Sequence, residues 1–280
     1  MKILEYHHMK EYSNMKIGGI AKELIIIEEK NEIIEALKER ENTFLIGNGT
    51  NTLISDGELD KTFISLKELK GIKELGNNLV EVEAGFDFKE LIEYMAEKDY
   101  SGLENLAGIP GSVGGLVYMN GGAYGTEVFD CIKEIEVVDE NREIRRVRKE
   151  DLHFTYRKTE IQDRKWIVLS TVFEFEKGFD RNKVEEIMSK RNERHPLNLP
   201  NLGSTFKNPD GLFSAKLIID AGVQGKKIGG AQVSMMHPNF IVNHGDAKFD
   251  DILGLIEVVK ERVKKSSGIE LEEEIIIVRN

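Results

Sequence analysis

A globular chain of mixed strands and helices, divided into two or three subdomains, is the expectation from this sequence. Length, composition and the spacing of apolar residues carry it. At 280 residues the chain is long for one hydrophobic core, and cores of that size normally split. Hydrophobic residues make up 40% and charged residues 32%, with Gly at 26 and Pro at 5, which excludes collagen-like, low-complexity and wholly disordered readings. A chain of this size buries roughly three quarters of its unfolded surface, so it needs no covalent staples. Apolar residues recur at a period of two in some stretches and near 3.6 in others, so strands and helices are interleaved.

The elements follow in order. Residues 24–28 are short and β-branched, and read as a strand. Ile33, Ile34 and Leu37 then recur at helical spacing, and residues 44–46 form a second strand that runs into glycine. Residues 79–83 alternate apolar and charged, as a half-buried strand does. Asp87 with Glu90 three residues on is a capping-box signature, and Leu91, Ile92 and Met95 continue a helical stripe. Residues 135–138, a polar turn at Glu140 and Asn141, and residues 144–147 predict a hairpin, and 166–173 another strand. Ile252, Leu255, Ile256, Val259 and Val263 mark a helix, and residues 275–278 a closing strand. No repeat of solenoid or propeller spacing is present.

The formal net charge of −11 argues against a general nucleic-acid binder and against a basic membrane-surface protein. The lone cysteine, Cys131, can form no internal disulfide and supplies no metal-binding set, which suits a reducing compartment; it reads as structural. The histidines at 7, 8, 153, 195, 237 and 244 show no zinc spacing, so no metal site is expected, and His237 reads as shaping its loop. Lys2, Glu5, Lys10 and Glu11 make the start unlike a secretory signal. No apolar run approaches the roughly 20 residues of a membrane span. The expectation is a soluble, acidic, cytoplasmic protein with no nucleic-acid or membrane partner. The sequence leaves its oligomeric state open, with a monomer compatible.

Glycine and proline are unevenly placed. Seven glycines fall between Gly108 and Gly125, while four of the five prolines lie at 196, 200, 209 and 238. The stretch 191–209 therefore reads as a junction into another subdomain. Residues 190–227 carry a local charge of +4, from seven basic and three acidic side chains, and such a segment can focus an anionic ligand within an acidic protein.

Two loops bear on chemistry. Gly47-Asn48-Gly49-Thr50-Asn51-Thr52 follows a strand, and its small residues and free backbone N–H groups can cradle a phosphate. It lacks the third glycine and following helix of a Rossmann fingerprint, and the Gly-Lys-Ser/Thr ending of a Walker loop. An ordinary tight turn is the alternative. Gly108-Ile109-Pro110-Gly111-Ser112-Val113-Gly114-Gly115, followed by Asn120-Gly121-Gly122-Ala123-Tyr124-Gly125, is either a second phosphate-wrapping surface against a flat cofactor or a glycine-rich connector.

With Tyr12-Ser13-Asn14-Met15-Lys16-Ile17-Gly18-Gly19 before them, these loops resemble those of the UDP-N-acetylenolpyruvoylglucosamine reductase (MurB) family, flavoenzymes that make UDP-N-acetylmuramate for peptidoglycan. The resemblance continues through Tyr156-Arg157 and Pro200-Asn201-Leu202-Gly203-Ser204-Thr205-Phe206-Lys207-Asn208-Pro209. It extends over Ile228-Gly229-Gly230-Ala231-Gln232-Val233, His237-Pro238-Asn239-Phe240-Ile241-Val242-Asn243 and Gly268-Ile269-Glu270-Leu271-Glu272-Glu273-Glu274-Ile275. It covers nearly the whole chain, in the family's order.

That resemblance implies the FAD-binding α+β fold of vanillyl-alcohol-oxidase-like (PCMH-type) enzymes with a C-terminal α+β substrate subdomain. Residues 1–57, rejoined by 270–280, and residues 58–198 would form two FAD-binding subdomains, and 199–269 the substrate subdomain. The short interval from Arg157 to Ser204 resembles the compact form of the family, without its extra tyrosine loop. The implied FAD contacts are Gly47, Asn48, Gly49, Thr50, Asn51, Thr52, Gly108, Ile109, Pro110, Gly111, Ser112, Gly114, Gly115, Asn120 and Gly122. Without a histidine in the 47–52 loop, FAD is expected to be non-covalent. Tyr124, Tyr156, Asn208 and Lys216 are implied to bind substrate.

In the family NADPH reduces the flavin, and flavin N5 then delivers hydride to the enolpyruvyl CH₂ carbon; NADPH rests on the resemblance alone. Arg157, Ser204 and Glu274 match the catalytic residues. Ser204 is implied to donate the proton: a serine is a weak acid, but a carbanion beside a carboxylate is a strong base. Outside the family context it reads as a turn or cap residue. Arg157 would bind the substrate carboxylate through its planar fork, where a surface arginine is the alternative. Glu274 should be protonated during reaction or position another group, since an ionised carboxylate repels an enolate. The run Glu270, Glu272, Glu273 and Glu274 also reads as a solvated charged face, and Glu273 stands where the family commonly has proline. Two alternatives stay open: another FAD-dependent oxidase of the same fold, or a non-catalytic nucleotide-sugar binding protein.

Overall fold

The computed structural model describes residues 1–280 apart from residue 39. The principal elements begin with β1 (Lys2–His8), β2 (Ile20–Ile26), α1 (Glu32–Leu37), β3 (Thr43–Ile46), β4 (Thr52–Ile54), β5 (Glu58–Ser65), β6 (Ile72–Gly76) and β7 (Leu79–Glu83). Next come α2 (Phe88–Lys98), α3 (Val113–Tyr118), β8 (Ile132–Val138), β9 (Ile144–Arg148), β10 (Ile167–Glu174) and α4 (Arg181–Arg194). The chain closes with α5 (Ser214–Asp220), β11 (Lys227–Ile228), β12 (Ala231–Val233), β13 (Ile241–Asn243), α6 (Phe249–Ser267) and β14 (Ile276–Val278). The mixed α+β expectation holds. Two compact units result, and the chain passes between them within β1, β2, β5 and α4 and in the loop between Asn48 and Gly49.

The first unit comprises Met1–Leu4, Glu23–Asn48 and Thr62–Lys190. Its centre is a five-stranded antiparallel sheet in the order β9-β8-β10-β7-β6. The predicted hairpin is the β8–β9 pair, with Val138 opposite Ile144. Asp87 caps α2 by accepting from Lys89 N, and the helix ends where Asp99 turns left-handed at φ 59°. Between those stops α2 buries Phe88, Leu91, Ile92 and Met95, one face at i, i+3, i+4 and i+7. They join Val113 and Val117 of α3 and Phe173 of β10 in a continuous apolar core. Truncating one such side chain to alanine costs about 2–5 kcal/mol. β3 pairs in parallel with β5, Phe44 opposite Phe63, and its end at Ile46 fixes where Gly47 begins.

The second unit comprises Glu5–Lys22, Gly49–Lys61 and Arg191–Asn280. An antiparallel sheet β11-β12-β13 shares a core with α5 and α6, in which Ile252, Leu255, Ile256, Val259 and Val263 are buried. α6 ends at Gly268, left-handed at φ 76°, whose N–H bonds Lys264 O. The chain terminus adds β14 in parallel to β4, Ile276 opposite Thr52 and Val278 opposite Ile54.

Several elements differ from the sequence expectation. The 108–125 stretch is interrupted by α3, capped by Ser112 accepting from Gly115 N at 3.3 Å. Glycines at 114 and 115 mask that helix because they lower its propensity. α4 carries only Val184, Ile187 and Met188 as aliphatic residues among 14, too thin a stripe to register as helical periodicity.

Candidate active site

The loop after β3 is built twice over. Within the first unit, Asn48 Nδ2 donates to Asp87 Oδ2 at 3.1 Å, so the α2 cap residue also holds the loop's start. A Cβ on Gly47 would lie 2.9 Å from Ser112 Oγ, and one on Gly115 3.4 Å from the same oxygen. Gly47 therefore lets the backbone approach the buried Ser112 hydroxyl more closely than a side chain would permit.

Within the second unit, Gly49 is left-handed at φ 63°, and a Cβ there would meet Tyr12 O at 1.8 Å. Only glycine meets both demands. Asn14 N donates to Gly49 O at 2.9 Å, and Ser13 Oγ to Thr52 O at 3.3 Å. The Tyr12-Ser13-Asn14 motif thus supports the loop through the Asn14 main chain and the Ser13 hydroxyl.

Arg157 sits in the first unit at the left-handed φ of 56°. Its Nη1 donates to Asn120 O at 3.0 Å and its Nη2 to Gly122 O at 2.6 Å. The guanidinium lies over the Tyr156 ring, 4.7 Å from the centroid. Asn120 and Tyr124 are also left-handed, at φ 43° and 50°. Three non-glycine residues in that region at one place mark a backbone held by its surroundings. Asn120 is fully buried; its Nδ2 donates to Glu127 Oε2 at 2.7 Å and Thr155 O at 3.1 Å. Its Oδ1 has no hydrogen-bond partner among the described residues. Asn105 Nδ2 holds the next turn through Tyr124 O at 3.3 Å and Thr126 Oγ1 at 2.8 Å. Tyr124 and Tyr156 are exposed, at 44% and 43%.

In the second unit the strings around Ser204 and Glu274 lie side by side. Glu274 N donates to Thr205 O at 2.8 Å, and Lys207 N to Glu272 O at 2.9 Å; Phe206 and Glu273 form an antiparallel bridge. Ser204 and Glu274 are both half-buried. Asn51 Nδ2 donates to Glu274 O at 3.1 Å and Asn51 O accepts from Ile276 N at 2.9 Å. Upstream, Asn201 Oδ1 accepts from Gly203 N at 2.9 Å and shapes the turn before Ser204.

The acidic run resolves into distinct roles. Glu272 pairs with Lys207 at 2.5 Å, Glu273 with Lys260 at 2.9 Å, and Glu270 with Lys264. The side chains of these three form the charged surface that the sequence also suggested, while the main chain of residues 272–274 runs along the Ser204 string. Lys216, on α5, is exposed and pairs with Asp220 at 2.9 Å. Asn208 Oδ1 accepts from Ser214 N at 3.0 Å at the start of α5. Pairing of Lys190 with Glu186 and of Lys207 with Glu272, two carboxylates outside the segment, offsets part of the basic excess of residues 190–227.

His195 and His237 form an edge-on ring pair with centroids 5.2 Å apart, and Phe240 stacks against His195. Burial, helped by the nearby Arg191 charge, pushes His195 down to about 4, and burial lowers His237 as well. His237 O accepts from Phe240 N at 2.9 Å, closing its own turn. Burial pushes the Cys131 thiol up to about 12. Among the described residues no group of three His, Cys, Asp or Glu side chains could hold a metal ion. No helix among them is long and apolar enough to cross a membrane.

Asn239 and Asn51 stand out only in the structure as supports of the Ser204 and Glu274 strings. The spacing of the Thr205, Asn239 and Glu274 positions along the chain carries no sign of their contact.

Comparison with known proteins agrees with this geometry. Residues 24–148 match the model of an FAD binding domain, and residues 195–278 that of the UDP-N-acetylenolpyruvoylglucosamine reductase C-terminal domain. The chain is 55% identical to UDP-N-acetylenolpyruvoylglucosamine reductase of Fusobacterium nucleatum subsp. nucleatum over 281 aligned positions, covering 100% of both chains. It is 38% identical to the enzyme of that name from Caldanaerobacter subterraneus subsp. tengcongensis, over 96% of this chain and 91% of that one. The crystal structure of UDP-N-acetylenolpyruvylglucosamine reductase (MurB) from Thermus caldophilus is similar with a TM-score of 0.84 at 29% identity, over 99% of this chain and 98% of that one. On full-length identity and matching architecture, the chain belongs to the UDP-N-acetylenolpyruvoylglucosamine reductase family.

Proposed function

We propose that this chain reduces UDP-N-acetylglucosamine enolpyruvate to UDP-N-acetylmuramate with NADPH and non-covalent FAD, as a step of peptidoglycan precursor synthesis in the cytoplasm. The observation that carries the reading is the junction of the Ser204 and Glu274 strings through Thr205 O, in a chain whose full length aligns with reductases of that name. The residues present fit the cofactor. A Cβ on Gly47 would crowd Ser112 Oγ at 2.9 Å, so this loop backbone is bare where it approaches Ser112, and the buried Asn120 Oδ1 is an acceptor with no partner among the described residues. A buried polar atom of that kind is normally satisfied by water, an ion or a ligand.

The residues that would hold FAD are those of the 47–52 loop together with Gly108, Ile109, Pro110, Gly111, Ser112, Gly114, Gly115, Asn120 and Gly122. When bound, FAD supplies a hydride relay between NADPH and the terminal CH₂ of the enolpyruvyl group. Residues 1–57 with 270–280, and 58–198, are proposed as the cofactor-binding subdomains and 199–269 as the substrate subdomain. Tyr124, Tyr156, Asn208 and Lys216 are proposed substrate contacts.

The chain's own groups do the remaining work. Arg157 is held by the carbonyls of Asn120 and Gly122, and its guanidinium fork is assigned to the substrate carboxylate. A fixed cation there stabilises charge as it grows beside the carboxylate. Ser204 donates a proton to the carbon next to that carboxylate, and the strong base formed there makes a hydroxyl a sufficient acid. Glu274, whose main chain is placed by Thr205 O and Asn51 Nδ2, either carries a proton at that moment or positions another group, because an anion would oppose the developing charge.

The test is anaerobic NADPH consumption by FAD-loaded protein, with and without the enolpyruvyl sugar. Multiple turnovers only with the sugar, lost in Ser204→Ala while flavin bleaching by NADPH survives, are expected. A single bleaching that stalls with or without the sugar points to an oxidase. Failure to retain flavin leaves a nucleotide-sugar binding protein.

A further inference from the structure

Asn239 precedes Phe240 in the turn before β13 and is 4% exposed. Its side chain lies along a single residue of the Ser204 string: Oδ1 accepts from Phe206 N at 3.0 Å, and Nδ2 donates to Phe206 O at 2.8 Å. Its own carbonyl accepts from Thr205 N at 2.7 Å. A side-chain amide thereby does for one residue what a neighbouring strand does for several. The opposite edge of the same string is held by Glu274 N on Thr205 O and by Glu272 O on Lys207 N. Lys207 O accepts from Ser214 Oγ. Every backbone donor and acceptor from Thr205 to Lys207 is therefore engaged, and Ser204 is attached directly to this fixed segment.

Only asparagine offers a donor and an acceptor at this reach. Aspartate keeps the acceptor for Phe206 N but sets an oxygen against Phe206 O. An apolar residue leaves two backbone groups of the buried Phe206 unpaired, each costly away from solvent.

We propose that Asn239 is a positioning residue for the proton donor, setting the height of Ser204 through Phe206; the inference rests on the reading of Ser204 given above. The experiment uses FAD-loaded full-length Asn239→Asp and Asn239→Ser, with Ser204→Ala beside them. Anaerobic rapid mixing measures flavin bleaching by NADPH, then its recovery on adding the enolpyruvyl sugar, in H₂O and in D₂O. Bleaching is expected to stay within about twofold of wild type, because it needs no proton from Ser204. Recovery is expected to slow about 100-fold in Asn239→Asp, the cost of roughly 1 Å of misplacement, and less in Asn239→Ser. Its solvent isotope effect should rise as proton transfer becomes limiting.

Recovery at the wild-type rate in both variants overturns the proposal. So does recovery that falls only in step with bleaching, at an unchanged isotope effect. Wild-type recovery in Ser204→Ala removes the donor reading and the proposal with it, whereas an inert Ser204→Ala beside fully active Asn239 variants removes the proposal alone. Amide exchange in the wild-type protein needs no variant at all: the Phe206 N–H should be strongly protected, and exchange at the rate of an open loop overturns the pairing on which the proposal stands.

Discussion

Replacing Arg157 by lysine isolates what the guanidinium does beyond carrying charge. Both residues must adopt the same left-handed backbone at φ 56°, so strain at that position cancels in the comparison. Arginine bonds two carbonyls at once, Asn120 O at 3.0 Å and Gly122 O at 2.6 Å, and covers the Tyr156 ring. A lysine ammonium on its flexible stem can hold one of these carbonyls and loses the planar stack. Hydrogen bonds from charged donors contribute about 1.5–3 kcal/mol. The site is half-buried, so the lower end applies and about 1.5 kcal/mol of unfolding free energy should be lost in urea. The loosened 120–122 backbone and a one-point contact with the substrate carboxylate should slow flavin recovery by the enolpyruvyl sugar about 100-fold, equivalent to about 2.7 kcal/mol of barrier. Bleaching by NADPH should change little. Stopped-flow absorbance under anaerobic conditions reads both steps, and equilibrium urea unfolding reads the stability. Recovery within threefold of wild type, at an unchanged urea midpoint, would refute the account of Arg157 as a bidentate anchor.

Two further outcomes follow from single residues. Gly49→Ala forces a left-handed alanine, which costs about 1–2 kcal/mol, and sets its Cβ 1.8 Å from Tyr12 O. A total near 3 kcal/mol is expected once the backbone shifts, with weaker FAD retention; a loss under about 1 kcal/mol would mean that the loop has room to spare. His195, held at about 4 in the fold by burial and by the nearby Arg191, His237 and Arg194 charges, titrates in the unfolded chain near 6.5. Its contribution to stability is complete above pH about 6.5 and is lost as pH falls toward 4, because only the unfolded chain takes up the proton there. His195→Gln should flatten the urea midpoint between those pH values, with His237, lowered in the same direction, keeping a residual slope. Coincident pH profiles of the two proteins would contradict the burial of that ring.

Local order fixed much of this protein before any tertiary contact was known. The alternation of residues 79–83, the Asp87 cap with its apolar stripe, and the polar turn between Val138 and Ile144 each depend on neighbours along the chain. These elements stand where their spacing places them. Motif strings, likewise contiguous, carried the family and the names of Arg157, Ser204 and Glu274. Other features depend on residues distant in sequence. Glycines inside α3 lower its propensity, and α4 has too few apolar residues to show a stripe. Helices of that kind are secured by packing against other elements rather than by pattern. In the acidic run, the lysines that pair with the carboxylates of Glu270, Glu272 and Glu273 and the Thr205 and Asn51 groups that hold the Glu274 main chain all come from elsewhere in the chain. The clamp of Asn239 on Phe206 joins residues 33 positions apart, and no periodicity encodes it. Side-chain amides, cation pairs and left-handed turns acquire their roles from which partner the fold brings within about 3 Å, and that proximity exists only once the chain has closed on itself.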